Sequence, residues 1–156
     1  MASWQEFERA VPEFAARARA LLDAHRHKTM ATLRKDGSPR ISGTELDFRQ
    51  GEVWLGSMAG AVKALDLRRD PRVAVHSASP DPGPDGAWAG DAKFSGLAVE
   101  ITDKEALAEF ALPGKGSHLF RIDVAEVVLT SVDPAGELLE IEIWQEGRGL
   151  RKAVRQ

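Results

Sequence analysis

Thr29-Met-Ala-Thr-Leu33, Arg34-Lys-Asp-Gly37, Arg40-Ile-Ser-Gly-Thr-Glu-Leu-Asp-Phe48, Arg49-Gln-Gly51 and Glu52-Val-Trp-Leu-Gly-Ser57 follow one another almost without interruption. The first run has β character. It is closed by Asp36-Gly37, a strong hairpin signal because both residues tolerate positive φ. Arg40 to Phe48 reads as the second strand, and Glu52 to Ser57 as the third. Three strands joined by short turns predict an antiparallel meander.

Downstream, Gly60-Ala-Val-Lys-Ala-Leu-Asp-Leu-Arg-Arg69 suits a short helix lying on a sheet, ended by Asp70-Pro71. Val73 to Ser77 is the fourth strand and Ala92 to Ile101 the fifth. Between them, residues 79–90 are rich in Pro and Gly and read as a long loop carrying Trp88. Asp103 opens a short helix, Lys104 to Phe110. Leu119 to Val124 alternates cleanly and runs on to Leu129, and Leu138 to Trp144 is the last strand. The tail from Gln145 is basic and reads either as a docking segment or as a frayed end. Upstream, Ser3 and Glu6 form a capping-box pattern. Pro12 opens a helix that reaches about His25, with Phe14, Ala18, Leu21 and Leu22 at helical spacing.

About seven strands with few helices predict a mainly β (α+β) fold, a small antiparallel barrel, because closure removes exposed edges. The length of 156 residues fits one domain, residues 1–156. The 43% hydrophobic and 29% charged content is that of a globular chain, which excludes disorder. With 21 basic against 24 acidic residues the net charge is −3, so no nucleic-acid footprint is expected. The absence of cysteine excludes disulfides, thiol nucleophiles and Cys-ligated metals. No apolar run has membrane-spanning length, and a soluble cytoplasmic protein is expected.

The ordered set Ala31-Thr-Leu-Arg-Lys-Asp-Gly-Ser-Pro-Arg40, Val53-Trp-Leu-Gly-Ser57, Gly60-Ala-Val-Lys63 and Leu67-Arg-Arg-Asp-Pro-Arg-Val73 resembles the pyridoxamine 5′-phosphate oxidase-like family. These are split β-barrel flavoproteins that bind FMN or a deazaflavin. Asp91-Ala-Lys-Phe-Ser-Gly-Leu-Ala98 and Phe120-Arg-Ile-Asp-Val124 extend the resemblance over most of the chain beyond His25. It implies a six- to seven-stranded split barrel with short flanking helices, a homodimer, and a flavin-type cofactor in a groove between subunits. It further implies an FMN-dependent oxidoreductase or reductase acting on a small molecule. The alternatives are a deazaflavin-dependent reductase and a non-enzymatic carrier of flavin, haem or a tetrapyrrole.

Carried over by position, the resemblance assigns cofactor contacts to Arg40, Ile41, Ser42, Gly43 and Thr44 on the second strand, to Ser57, and to Lys63. No catalytic acid or base is assigned. The chain departs from the pyridoxamine phosphate oxidases in having Val62 where they carry arginine and Ala61 where they carry serine. Glu45 stands where their strand ends in lysine. One phosphate ligand is lost and one charge reversed, which points to the family's broader branch.

The chosen residue types suit an anion on their own account. A phosphate monoester favours charge-assisted donors. A helix start offers free amides, and Gly60 lets backbone approach closely. Each residue also has a plainer role: Lys63 and Arg40 as solvated cations, Ser57 as a turn cap. Gly43, mid-strand, marks either a close approach by a ring or a β-bulge. His25, His27, His76 and His118 form no metal motif, and no zinc site is expected. Arg68, Arg69 and Arg72, with Arg148, Arg151 and Arg155 in the tail, are the basic residues that would suit a longer polyanionic coenzyme.

Overall fold

The Asp36-Gly37 turn folds as its chemistry dictates. In the computed structural model, which describes residues 1–156, it joins β1 (Lys28–Leu33) to β2 (Pro39–Thr44). The pair is antiparallel in unbroken register from Lys28↔Thr44 to Leu33↔Pro39. The remaining elements are α1 (Trp4–Ala10), α2 (Pro12–Asp23), β3 (Asp47–Arg49), β4 (Glu52–Ser57), α3 (Val62–Arg69) and β5 (Arg72–His76). After them come β6 (Asp91–Ile101), α4 (Lys104–Ala108), β7 (His118–Val132), β8 (Leu139–Gln145) and β9 (Gly149–Arg155).

All nine strands form one antiparallel sheet. Seven run in the order β2-β1-β5-β6-β7-β4-β3. The strands at the two ends of that path, β2 and β3, are consecutive in the chain and separated only by Glu45 and Leu46. A sheet whose two ends are tied by two residues is curled on itself, and because β2 and β3 do not pair the barrel stays open along that seam. The expected second strand, Arg40 to Phe48, is therefore two strands. Its first part pairs with β1 and its second with β4.

β7 splits the barrel. Its first residues pair with β4, its last seven with β8, and β6 lies along nearly its whole length. The register shifts between Ser95↔Glu126 and Gly96↔Val124, leaving Ala125 without a partner. This bulge needs glycine at 96, because a Cβ there would lie 2.0 Å from the Asp123 carbonyl oxygen. Gly43, by contrast, lies in regular register, and a Cβ there would meet nothing within 4 Å.

The basic tail is neither frayed nor loose. β9 pairs with β8 from Leu139↔Arg155 to Gln145↔Gly149, and Lys152 reaches Glu140 at 2.8 Å. Trp144, just before it, is buried in the core against Phe7, with ring centroids 4.8 Å apart.

The helices close the core. Ser3 and Glu6 form the capping box at the start of α1, and Pro12 opens α2. Phe14, Ala15, Ala18 and Leu22 of α2 are buried against the sheet. Trp4 of α1 sits between Phe7 and Phe48, at 4.9 and 4.8 Å. No helix is long and apolar enough to cross a membrane.

Candidate functional site

β4 ends at Ser57, and four small or flexible residues, Met58 to Ala61, lead into α3. The turn requires Gly60, whose φ is +70°. Ala61 caps α3 without a side-chain hydrogen bond. The amides of Val62 and Lys63 in its first turn have no carbonyl within the helix to bond. They present the positive end of the helix dipole at this corner.

A cavity of about 690 Å³ opens beside this corner. Gly43 and Thr44 of β2 line it on one side, and Ser57, Ala61 and Lys63 on another. Trp54, Phe110 and Leu112 supply an apolar wall, with Trp54 and Phe110 ring centroids 4.7 Å apart. The Arg49 guanidinium lies 4.6 Å above the Phe110 ring and donates to the Glu109 carbonyl, fixing that wall.

Charge in the cavity is unevenly compensated. Arg26 pairs with Glu45 at 3.0 Å and Arg49 with Asp47 at 2.8 Å. Lys63 forms no ion pair with a carboxylate. Its ammonium donates to the Gly43 carbonyl oxygen at 2.7 Å, and burial pushes its pKa below the ordinary lysine value. The Ser57 hydroxyl is buried and has no hydrogen-bond partner. A buried hydroxyl left alone costs about 1–3 kcal/mol. An uncompensated cation, an orphaned hydroxyl and an uncapped helix start therefore lie at one end of a cavity whose other wall is aromatic.

The second-strand residues divide by position along β2, only its last two reaching the cavity. Gly43 and Thr44 line the cavity; Thr44 is buried and its hydroxyl donates to the Glu45 carbonyl. Ile41 is 75% exposed, and neither it nor the half-buried Ser42 lines the cavity. Arg40 lies elsewhere. Its Nε donates to Asp66 Oδ2 at 2.7 Å, in a separate hollow shared with Arg34, Lys35, Val62, Leu65 and Arg69. Asp66 is buried and also accepts from Thr32 Oγ1 and Arg69, each at 2.8 Å. Burial pushes its carboxyl up, but bonds from Arg40, Arg69 and Thr32 outweigh that and hold it below the ordinary aspartate value. The structure thus brings Gly43, Thr44, Ser57 and Lys63 together. It does not bring Arg40, Ile41 and Ser42 into the same cavity.

His118 takes part here without any local sequence signal. It opens β7 opposite Ser57 and is buried. Its Nε2 accepts from the Gly60 amide at 3.1 Å, and its Nδ1 lies 2.9 Å from Glu100 Oε1. Glu100 in turn accepts two hydrogen bonds from Arg68. The contact joins residues 58 positions apart, so only the β4–β7 pairing reveals it.

The fold is a single-sheet split barrel whose end strands are joined through residues 45–46, with a cavity of about 690 Å³ at the start of α3. Solved structures of low identity share the fold. PhzG from Burkholderia lata, in complex with tetrahydrophenazine-1-carboxylic acid, has a TM-score of 0.62 at 13% identity, covering 98% of this chain and 93% of that one. A heme binding protein from Mycobacterium smegmatis has a TM-score of 0.58 at 16% identity, covering 88% and 86%. A conserved hypothetical protein from Mycobacterium tuberculosis has a TM-score of 0.58 at 24% identity, covering 72% and 81%. No curated protein matches the chain in sequence. The family model for pyridoxamine 5′-phosphate oxidase matches residues 14–144, and the chain belongs to that family.

Proposed function

We propose that the protein binds FMN in the 690 Å³ cavity and acts as an oxidoreductase on a small molecule. The observation that carries this reading is the buried, partnerless Ser57 hydroxyl in a cavity with the Lys63 ammonium, which no carboxylate neutralises. Both would serve a phosphate, together with the opening amides of α3. Gly43 and Thr44 would border the ring, and the Trp54–Phe110 wall would exclude water from it. When bound, the flavin supplies hydride or electron transfer, and the protein supplies orientation and polarity. That division of labour requires no catalytic acid or base from the chain.

FMN is favoured over a deazaflavin with a polyanionic tail because the other cavity arginines, Arg26 and Arg49, are already paired with carboxylates. One free cation suits one phosphate. Family membership and the exposed Met58 and Ile41, 66% and 75% accessible, support a homodimer whose second copy closes the open side. Haem carriage has one specific point in its favour, the His27 imidazole on the cavity lining.

Titrating the purified protein with FMN, the deazaflavin and haemin, followed by fluorescence and visible absorption, tests the reading. FMN is expected to bind tightest. Replacing Lys63 by Ala should weaken it by about 10- to 100-fold, the scale of a lost charge-assisted hydrogen bond. Unchanged affinity in that variant would remove the cavity from the proposal. Tight binding without turnover of quinone or dye acceptors would make the protein a carrier.

A further inference from the structure

The turn that would hold the cofactor's anion is not secured by its own residues. Met58, Ala59, Gly60 and Ala61 bring no ionisable or hydroxyl side chain, and α3 has no side-chain cap. Its internal bonds are sparse, with Ala61 N–H donating to the Met58 carbonyl. What reaches it from outside is His118, through the 3.1 Å bond that the Gly60 amide donates to Nε2.

An amide N–H can only donate, so this Nε2 carries no proton. In a neutral imidazole the proton then sits on Nδ1, where Glu100 Oε1 accepts it at 2.9 Å. Glu100 is held as a carboxylate. The hydrogen bonds from Arg68 lower its pKa, burial opposes them, and His118 lowers it further. Arg68 belongs to the last turn of α3. The relay therefore grips α3 at both ends, from the Gly60 turn through His118 and Glu100 to Arg68. The charged groups bearing on the imidazole are Glu100 from β6 and, behind it, Arg68 from α3. Phe120 stacks on it at an interplanar angle of 26°, and Ser57 lies opposite on β4.

We propose that His118 is the positioning residue of the Ser57–Lys63 turn, and that protonating its Nε2 releases Gly60 and lowers the turn's affinity for an anion. An imidazolium has two donors and no acceptor, so the Gly60 bond and a charged His118 exclude each other. Protonation leaves the Nδ1–Glu100 contact in place while the other side of the ring lets go. The consequence for cofactor affinity rests on the FMN reading above; the consequence for Gly60 does not.

The test starts on the unliganded wild-type protein, labelled with nitrogen-15 and followed by NMR as the pH is lowered from about 8 until the His118 ring has taken up its second proton. At the upper end His118 should show a bare Nε2 and a protonated Nδ1. The Gly60 amide should shift, and exchange its hydrogen faster, with the same midpoint as the ring. The opposite tautomer, or a Gly60 amide that ignores the titration, overturns the proposal. FMN titrations then compare wild type with His118→Gln, whose amide oxygen accepts from Gly60 at every pH. FMN's own phosphate titrates in both proteins, so the ratio isolates the switch. Between the two pH limits the wild type should lose about tenfold more affinity than the variant. Equal losses, with Gly60 still following His118, would refute the link to the anion. If FMN fails to bind either protein while Gly60 follows His118, the cofactor reading fails and the positioning role stands.

Discussion

Two hollows flank α3, and they hold their cations differently. On one side Arg40 and Arg69 converge on Asp66, a buried carboxylate that Thr32 also bonds. On the other side Lys63 has a backbone carbonyl for company, and Ser57 has nothing. The first hollow balances its own polar groups and has the character of a structural joint between β1, β2 and α3. The second carries a deficit of acceptors for its donors. Buried polar groups in native proteins are nearly always partnered; Glu52 Oε2 and Arg121 Nε share the lack, but of the three only Ser57 lines a cavity with an unneutralised cation, and the proposed ligand site rests on that coincidence.

The largest effect expected from breaking this contrast is at the joint. Replacing Asp66 by Ala leaves Arg40, Arg69 and Thr32 without their shared acceptor and should cost about 3–5 kcal/mol of stability, read by urea denaturation. Because the folded Asp66 sits below its unfolded pKa, its contribution is fully present at neutral pH. It is lost as pH falls below the ordinary aspartate range, about 3.9, towards the lower folded value. The variant's stability should therefore vary less over that acid range than the wild type's.

One buried hydroxyl from each hollow gives a sharper comparison at about 1–2 kcal/mol. Thr32→Val removes a hydroxyl that donates to a carboxylate and should destabilise by that amount. Ser57→Ala removes one with no partner and should stabilise the cofactor-free protein by about 1 kcal/mol. The same change should weaken FMN several-fold. Equal signs in the two denaturation curves would dissolve the distinction between joint and site.

Lys63 extends the logic to charge. Burial lowers its folded pKa below the unfolded value, so at any pH below the ordinary lysine range the charged form costs the folded state. Lys63→Met should not lower the melting temperature of the cofactor-free protein, while FMN affinity falls. A marked loss of stability would show that the 2.7 Å bond to Gly43 is structural in purpose.

Much of the frame was legible because it is local chemistry. Asp36-Gly37 announces its hairpin, Ser3 and Glu6 their cap, and Pro12 the start of α2. What stayed hidden depends on contacts distant in sequence. Nothing in Thr44-Glu-Leu-Asp47 says that the chain is leaving one end of a sheet for the other, since β propensity continues on both sides. The tail composition of β9 reads as solvated because its acidic partners lie on β8. At the candidate site, Gly43, Thr44, Ser57 and Lys63 were named only through the family resemblance, and the structure lines one cavity with them. Asp66 was read only as one residue of an amphipathic helix. Its burial between β1 and β2, and hence the fate of Arg40, 26 residues away, follows from packing alone.

Arg40 carries the smallest expected effect on FMN affinity and the most discriminating one. By resemblance it is a cofactor ligand; by geometry it is committed to Asp66 through Nε and lines the other hollow. Arg40→Met keeps much of the side chain's apolar bulk and removes the guanidinium, while Thr32 and Arg69 continue to bond Asp66. Stability should drop by about 1–2 kcal/mol, because one of three donors to a buried charge is lost. FMN affinity should change by less than about threefold, well under the effect at Lys63. A loss comparable to that of Lys63→Ala would mean that Arg40 exchanges Asp66 for the phosphate on binding. The two hollows would then be halves of one site, joined across α3 when the cofactor arrives. An unchanged affinity leaves the anion to Ser57, Lys63 and the amides that His118 holds in place.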